Sequence, residues 1–250
     1  MAFDLNSISN DAEDKPPRIV IYGVEGIGKT KFGVDSPSPI ILQTEDGLGE
    51  FVVPHFPLAK SFDDVREALE TLAAGGHGYE TLVVDSIDWL QELIWKKVAL
   101  ENSVKSIEEI GYGKGYLFAV DHWIDYTNAL NYLRDQGMTI IQIAHSEIKR
   151  FDDPNNDPYD RYQIKLHKSA SAKIREHCDA VLFANYRIST TQSDSGFNKK
   201  SRAIGSGERL LFSEERPGYM AKNRFNMPHE LPLDWQAVAD SISYFNKDKK

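Results

Sequence analysis

The 250 residues contain a single cysteine, Cys178, which excludes an internal disulfide and a thiolate zinc site. Redox chemistry is not expected, and a reducing compartment agrees with that count. Long apolar runs are also missing. No stretch approaches the roughly 18 to 20 residues needed to cross a bilayer, and residues 1–17 are polar and acidic where a secretory leader is basic and then greasy. A cytoplasmic location without a membrane partner is the expectation. Positive charge is short as well: 29 Lys and Arg stand against 38 Asp and Glu, for a formal charge of -9. An average surface of that sign repels nucleic acid and anionic membrane, so a polyanion must be met by a local basic patch.

What is present suits a globular chain with a substantial core: 41% hydrophobic and 27% charged residues, with a mean hydropathy of -0.45. Residues 1–17 show little periodicity and close on Pro16-Pro17, which predicts a flexible tail ahead of one domain over 18–246, with a charged end over 247–250. Within the domain, short β-branched runs at 19–22, 40–42, 82–84, 139–144 and 180–183 predict buried strands. Between them, Ser61 heads a segment carrying Phe62, Val65, Leu69 and Leu72. Ser86 heads another carrying Ile87, Leu90, Ile94 and Val98, and Leu117 to Leu133 suggests a third helix. Such alternation predicts a mostly parallel sheet with helices on both faces. Beyond Phe183, runs at 186–190, 209–212 and 219–221 read as antiparallel strands, and a last helix is expected from Asp234 through Phe245.

The strongest local signal is GVEGIGKT, residues Gly23, Val24, Glu25, Gly26, Ile27, Gly28, Lys29 and Thr30, placed directly after the 19–22 strand. The pattern G-x-x-x-x-G-K-[ST] folds so that successive amides point at phosphate oxygens. Lys29 then adds a charge on the β and γ phosphates, and Thr30 offers a hydroxyl to Mg2+. A nucleoside triphosphate, ATP, with Mg2+ is the expected ligand. An acidic residue ending a second buried strand completes such a site, and Asp85 after TLVV supplies it.

With these motifs the chain resembles the RecA-like P-loop ATPases, in particular a small phage-encoded group of single-strand annealing and recombination proteins. The likeness rests on the phosphate loop, on TLVVDSIDWL (81–90), on ILQTEDG (41–47) and on GYMAKNR (218–224). It implies an α/β RecA-like P-loop NTPase core, a mostly parallel sheet flanked by helices with antiparallel C-terminal strands. It also implies ATP hydrolysis that is Mg2+-dependent and stimulated by single-stranded DNA, with ATP bound between adjacent subunits of a ring or filament. In a phage protein the location would be the host cytoplasm, and a single-strand binding protein is a further expected partner.

The resemblance assigns Glu45 to the attacking water, and a carboxylate there can orient the water and accept its proton. Its neighbour Asp46 is the competing choice. Lys222 and Arg224 are expected to reach the γ-phosphate of a neighbouring subunit, as arginine fingers do. His145 stands where the family carries a polar γ-phosphate sensor, usually glutamine, and a histidine would make sensing pH-dependent. In the likeness, the long stretch 146–170 contacts single-stranded DNA, with Lys149, Arg150, Arg161 and Lys165 on phosphates; Lys114, in a Gly- and Tyr-rich segment, is a second candidate. The acidic residues Asp152, Asp153, Asp157 and Asp160 oppose this. Two alternatives remain open. One is a P-loop kinase of a small metabolite, with Arg161 on a closing lid. The other is a non-hydrolysing, nucleotide-switched scaffold. His177 and Cys178, as neighbours, read as structural rather than as a base and nucleophile.

Overall fold

The computed structural model describes residue 8 and residues 15–154, 156–193 and 200–249. Most of the expected N-terminal tail, 1–7 and 9–14, lies outside these residues, as does residue 250 of the charged end.

Five parallel strands form the body of the sheet: β1 (Arg18–Gly23), β2 (Pro39–Gln43), β3 (Thr81–Asp85), β4 (Thr139–Phe151) and β6 (Ala180–Ser193). Antiparallel strands extend it: β5 (Tyr159–Ile164) on β4, β7 (Lys200–Phe212) and β8 (Lys222–Asn223) on β6, and β9 (Glu230–Pro232) on β7. The order is β2-β3-β4-β1-β6-β7-β9. This is the mostly parallel α/β architecture with antiparallel C-terminal strands that the sequence pattern predicts.

Strand residues alternate between two cores because successive side chains point to opposite faces. Val20, Tyr22, Leu82, Val84 and Ile140 face one cluster, packed under α2 (Phe62–Ala73), α3 (Ile87–Glu101), α4 (Lys114–Asp135) and α5 (Lys168–His177). Ile19, Ile21, Val83 and Ile141 face the other, under α1 (Lys29–Val34) and α6 (Trp235–Ala239). The start of α2 is set by a reciprocal cap: Ser61 Oγ accepts from the Asp64 amide at 3.1 Å, and Asp64 accepts from the Ser61 amide at 3.0 Å.

Two sequence expectations are corrected. The loop expected over 146–170 is largely regular structure, since β4 continues past Ala144 and returns as β5, and α5 follows. Its outer end is held by aromatic packing of Phe151 on Tyr159, with the Arg161 guanidinium 4.7 Å from the Phe151 ring centre. The final helix stops at Ala239 instead of running to Phe245. There the Asn246 amide donates to the carbonyls of Ala239, Asp240 and Ile242, satisfying acceptors that a longer helix would use itself.

Arg161 is 5% exposed and donates to Glu215 at 2.9 Å. Arg161→Ala is expected to destabilise the fold by about 2 kcal/mol, through the lost ion pair and ring contact. Urea unfolding monitored by circular dichroism measures it, and an unchanged midpoint would refute this role.

Candidate active site

The loops after β1, β2 and β3 converge at one end of the parallel strands, beside His145 within β4, which is in register with Gly23. Gly23 closes β1 for a packing reason: a Cβ there would overlap the Ala184 carbonyl of the adjacent β6. The following loop turns through Gly26 (φ 69) and Gly28 (φ 112), left-handed conformations that other residues rarely adopt. Lys29 then opens α1 and is buried, its ammonium donating to the Gly23 and Val24 carbonyls at 3.1 and 2.9 Å. Burial lowers the Lys29 pKa, against the pull of Asp85, Asp88 and Glu45.

Thr30 Oγ1 donates to Asp85 Oδ2 at 2.7 Å. Asp85 ends β3 and is buried, which raises its pKa, while the Thr30 hydrogen bond and the Lys29 charge act the other way. The hydroxyl–carboxylate pair fits Mg2+, a hard cation that takes oxygen ligands and combines one or two protein oxygens with substrate phosphates. Ser86 Oγ, on the next residue, is buried with no hydrogen-bond partner among the described residues.

Glu45 follows β2, and the backbone places it beside Asp85: the amides of Thr44 and Glu45 both donate to the Asp85 carbonyl, at 2.9 and 3.4 Å. Its carboxyl lines the same cleft as Lys29, Thr30, Asp85 and His145, a space of about 420 Å³. Asp46 is exposed and lies off that lining. Burial raises the Glu45 pKa, with Asp85 and Asp88 adding to it and His145 opposing. His145 is fixed from two sides by Asp88 on the first turn of α3. The His145 amide donates to Oδ1 at 3.0 Å, and Nδ1 lies 2.9 Å from Oδ2. That hydrogen bond raises the His145 pKa. Burial pushes Asp88 upward, yet the hydrogen bonds and charge of His145 leave it below the ordinary value.

Sequence reasoning passed over Asp88 and Arg209. Asp88 had a usable signal, an acid three residues after Asp85 at a helix start. Arg209 had none, because it comes from β7 and joins the cleft only through the sheet.

The expected intersubunit cations are placed differently. β8 pairs with the start of β6 through Ala180 and Val181, at the edge opposite the phosphate loop. There the Lys222 ammonium donates to the carbonyls of Arg175, Glu176 and Cys178 at 2.7, 3.2 and 2.6 Å, closing the end of α5. Arg224 lies 3.4 Å from Asp179, which also holds Arg18. Lys222 is thus an intrachain clamp, and Lys222→Ala is expected to lower stability by about 2 kcal/mol. Thermal melting checks this, and an unchanged transition would refute it.

Of the expected DNA contacts, Lys149, Arg150 and Arg161 share the β4–β5 hairpin, with Lys149 in register with Arg161, and each has an acidic neighbour. Lys149 pairs with Glu147 at 2.7 Å, Arg150 approaches Asp152 at 3.9 Å, and Arg161 is committed to Glu215. Lys165 lines a groove with Asp88, Trp89, Glu92 and Lys96, while Lys114 stands exposed at the start of α4. His177 and Cys178 lie outside the cleft. Cys178 is buried with its thiol pushed up to about 12, and His177, lowered to about 4 by burial, contacts Asn131 at 2.8 Å. Neither is poised for nucleophilic chemistry.

Among known families, residues 15–225 match the one described as AAA domain. The SPbeta prophage-derived uncharacterized protein YorG of Bacillus subtilis (strain 168) is 25% identical over 214 residues, covering 83% of this chain and 59% of that protein. The chain therefore spans less than two thirds of that relative's length. No helix among the described residues is long and apolar enough to cross a membrane.

Proposed function

Since the chain belongs to the AAA domain family, we propose that it is a phage-associated ATPase of RecA-like type that hydrolyses ATP with Mg2+ and acts on single-stranded DNA. The family supports nucleotide binding and hydrolysis, and the prophage relative supports the phage association. One observation carries the chemistry: Lys29, the Thr30–Asp85 pair, Glu45 and the Asp88-anchored His145 line one cleft beside a glycine-rich loop.

Each side chain has a task there. Loop amides and Lys29 hold the phosphate chain, and Lys29 exchanges its two loop carbonyls for phosphate oxygens when nucleotide enters. Thr30 and Asp85 would hold Mg2+, which supplies charge neutralisation on the phosphates. Glu45, its pKa raised, orients the attacking water and takes its proton. His145, its pKa also raised, donates toward the γ-phosphate while Asp88 keeps the ring in place.

Single-stranded DNA is supported by the groove beside this cleft. Lys96 and Lys165 supply charge for phosphates, Trp89 is half exposed and offers a stacking face, and Asp88 lines the groove while holding His145, which lines the cleft. A strand lying there would press on the residue that positions His145, coupling occupancy to hydrolysis. With a net charge of -9, several subunits in a ring or filament would need to add their patches along one strand. A metabolite kinase loses its lid cation, because Arg161 is buried against Glu215.

Phosphate release, measured with and without single-stranded DNA across a protein dilution series, tests the proposal. The rate per subunit is expected to rise with DNA and with protein concentration. Hydrolysis indifferent to both would remove the DNA-coupled assembly, and nucleotide binding without hydrolysis would turn the reading to a nucleotide-switched scaffold.

A further inference from the structure

Resting on that ATPase reading, we infer that Arg209 is a nucleotide-binding residue contributed by the same chain, gripping the α and β phosphates from the side of the cleft opposite Glu45 and His145. Its guanidinium lines the cleft, with Nη1 3.3 Å from the position a Cβ would take on Gly28. Glycine at 28 therefore leaves room for a cation as well as for the loop's own turn. The backbone of β7 holds Arg209 from both sides: it registers with Tyr186 of β6, and its carbonyl accepts from the Leu233 amide at 3.1 Å. The reach of the side chain is therefore set by sheet geometry.

The guanidinium is also uncommitted. Arg209 has no ion pair or hydrogen bond from its guanidinium among the described residues, whereas Arg18, Arg161, Arg187 and Arg224 all face carboxylates. The acid beside it, Glu208, is taken by Arg187 at 2.6 Å. Of the other cleft cations, Lys31 pairs with Asp35 at 2.6 Å and Lys29 rests on loop carbonyls. An exposed, unpaired guanidinium facing a phosphate loop in a chain of net charge -9 is placed for an anion.

Sheet order says which phosphates it meets. Glu45, Asp85 and His145 come from the β2, β3 and β4 side of the loop, where water attacks the terminal phosphate. Arg209 comes from β7, separated from β1 by β6 on the other flank. It meets the part of the nucleotide that ADP retains.

Calorimetry on the full chain with Mg-ADP and with a non-hydrolysable ATP analogue tests this for Arg209→Ala and Arg209→Lys, alongside steady-state kinetics. Arg209→Ala is expected to weaken both ligands about tenfold, with KM for ATP rising in parallel and kcat staying within about threefold. Arg209→Lys should recover part of the affinity through charge alone. The residue is exposed, so melting should be unaltered. Unchanged ADP affinity in Arg209→Ala, or a loss confined to kcat, overturns the assignment. A wild-type chain that retains neither ligand overturns the ATPase reading itself, a result distinct from tight binding by both wild type and variant.

Discussion

Lys29→Ala is expected to reduce ATP turnover by about 10³-fold, equivalent to about 4 kcal/mol of barrier. The ammonium is the cation inside the phosphate loop, buried and donating to the loop carbonyls of Gly23 and Val24. Without it, charge developing on the transferring group is met on that side by backbone amides alone, and Asp85 loses a cationic counterweight. The fold should persist. Lys29 binds two carbonyls rather than a carboxylate, and its burial already disfavours the charged form, so truncation removes modest hydrogen bonding and a desolvation cost together. Phosphate-release kinetics and thermal melting check both halves. Turnover at the wild-type level would show that this loop is not the catalytic phosphate site.

Glu45→Gln is expected to lower kcat by about 10²- to 10³-fold with little change in nucleotide affinity, because the amide keeps the shape and hydrogen bonding but cannot accept a proton. The pH profile is the sharper readout. A carboxylate acts as a base only when ionised, so activity is present above its pKa and lost below it. Burial and the neighbouring Asp85 and Asp88 raise that pKa, so the acid limb of wild-type kcat should lie above the ordinary glutamate value of about 4.3. In Glu45→Gln that limb should vanish along with the rate. An Asp46→Asn variant, by contrast, should leave both rate and profile unchanged, since Asp46 is exposed and off the cleft. Loss of activity in Asp46→Asn with retention in Glu45→Gln would reverse the choice of base.

The parallel core was legible because its signals are local. A short β-branched run such as 19–22 can be satisfied only by burial on both faces, and Ser61 with Asp64 closes its cap within four residues. The phosphate loop was legible for the same reason, since its glycines and Lys29 act through backbone they themselves form. The extent of β4 was less so. Its outer half, mixed in charge, is held by β5 and by Arg161 over Phe151, contacts that neighbouring residues do not announce.

Residue order alone thus determined the parallel sheet, the anion-binding turn and the acid at the end of β3. Only tertiary packing decided which charges are free to act. Lys222 and Arg161, both cations in sequence, are consumed by the end of α5 and by Glu215, whereas Arg209 reaches the cleft with no ion pair among the described residues and Asp88 fixes His145. The physical reason is that a charge's role depends on the partners and solvent within a few ångströms of it, and those neighbours come from distant parts of the chain.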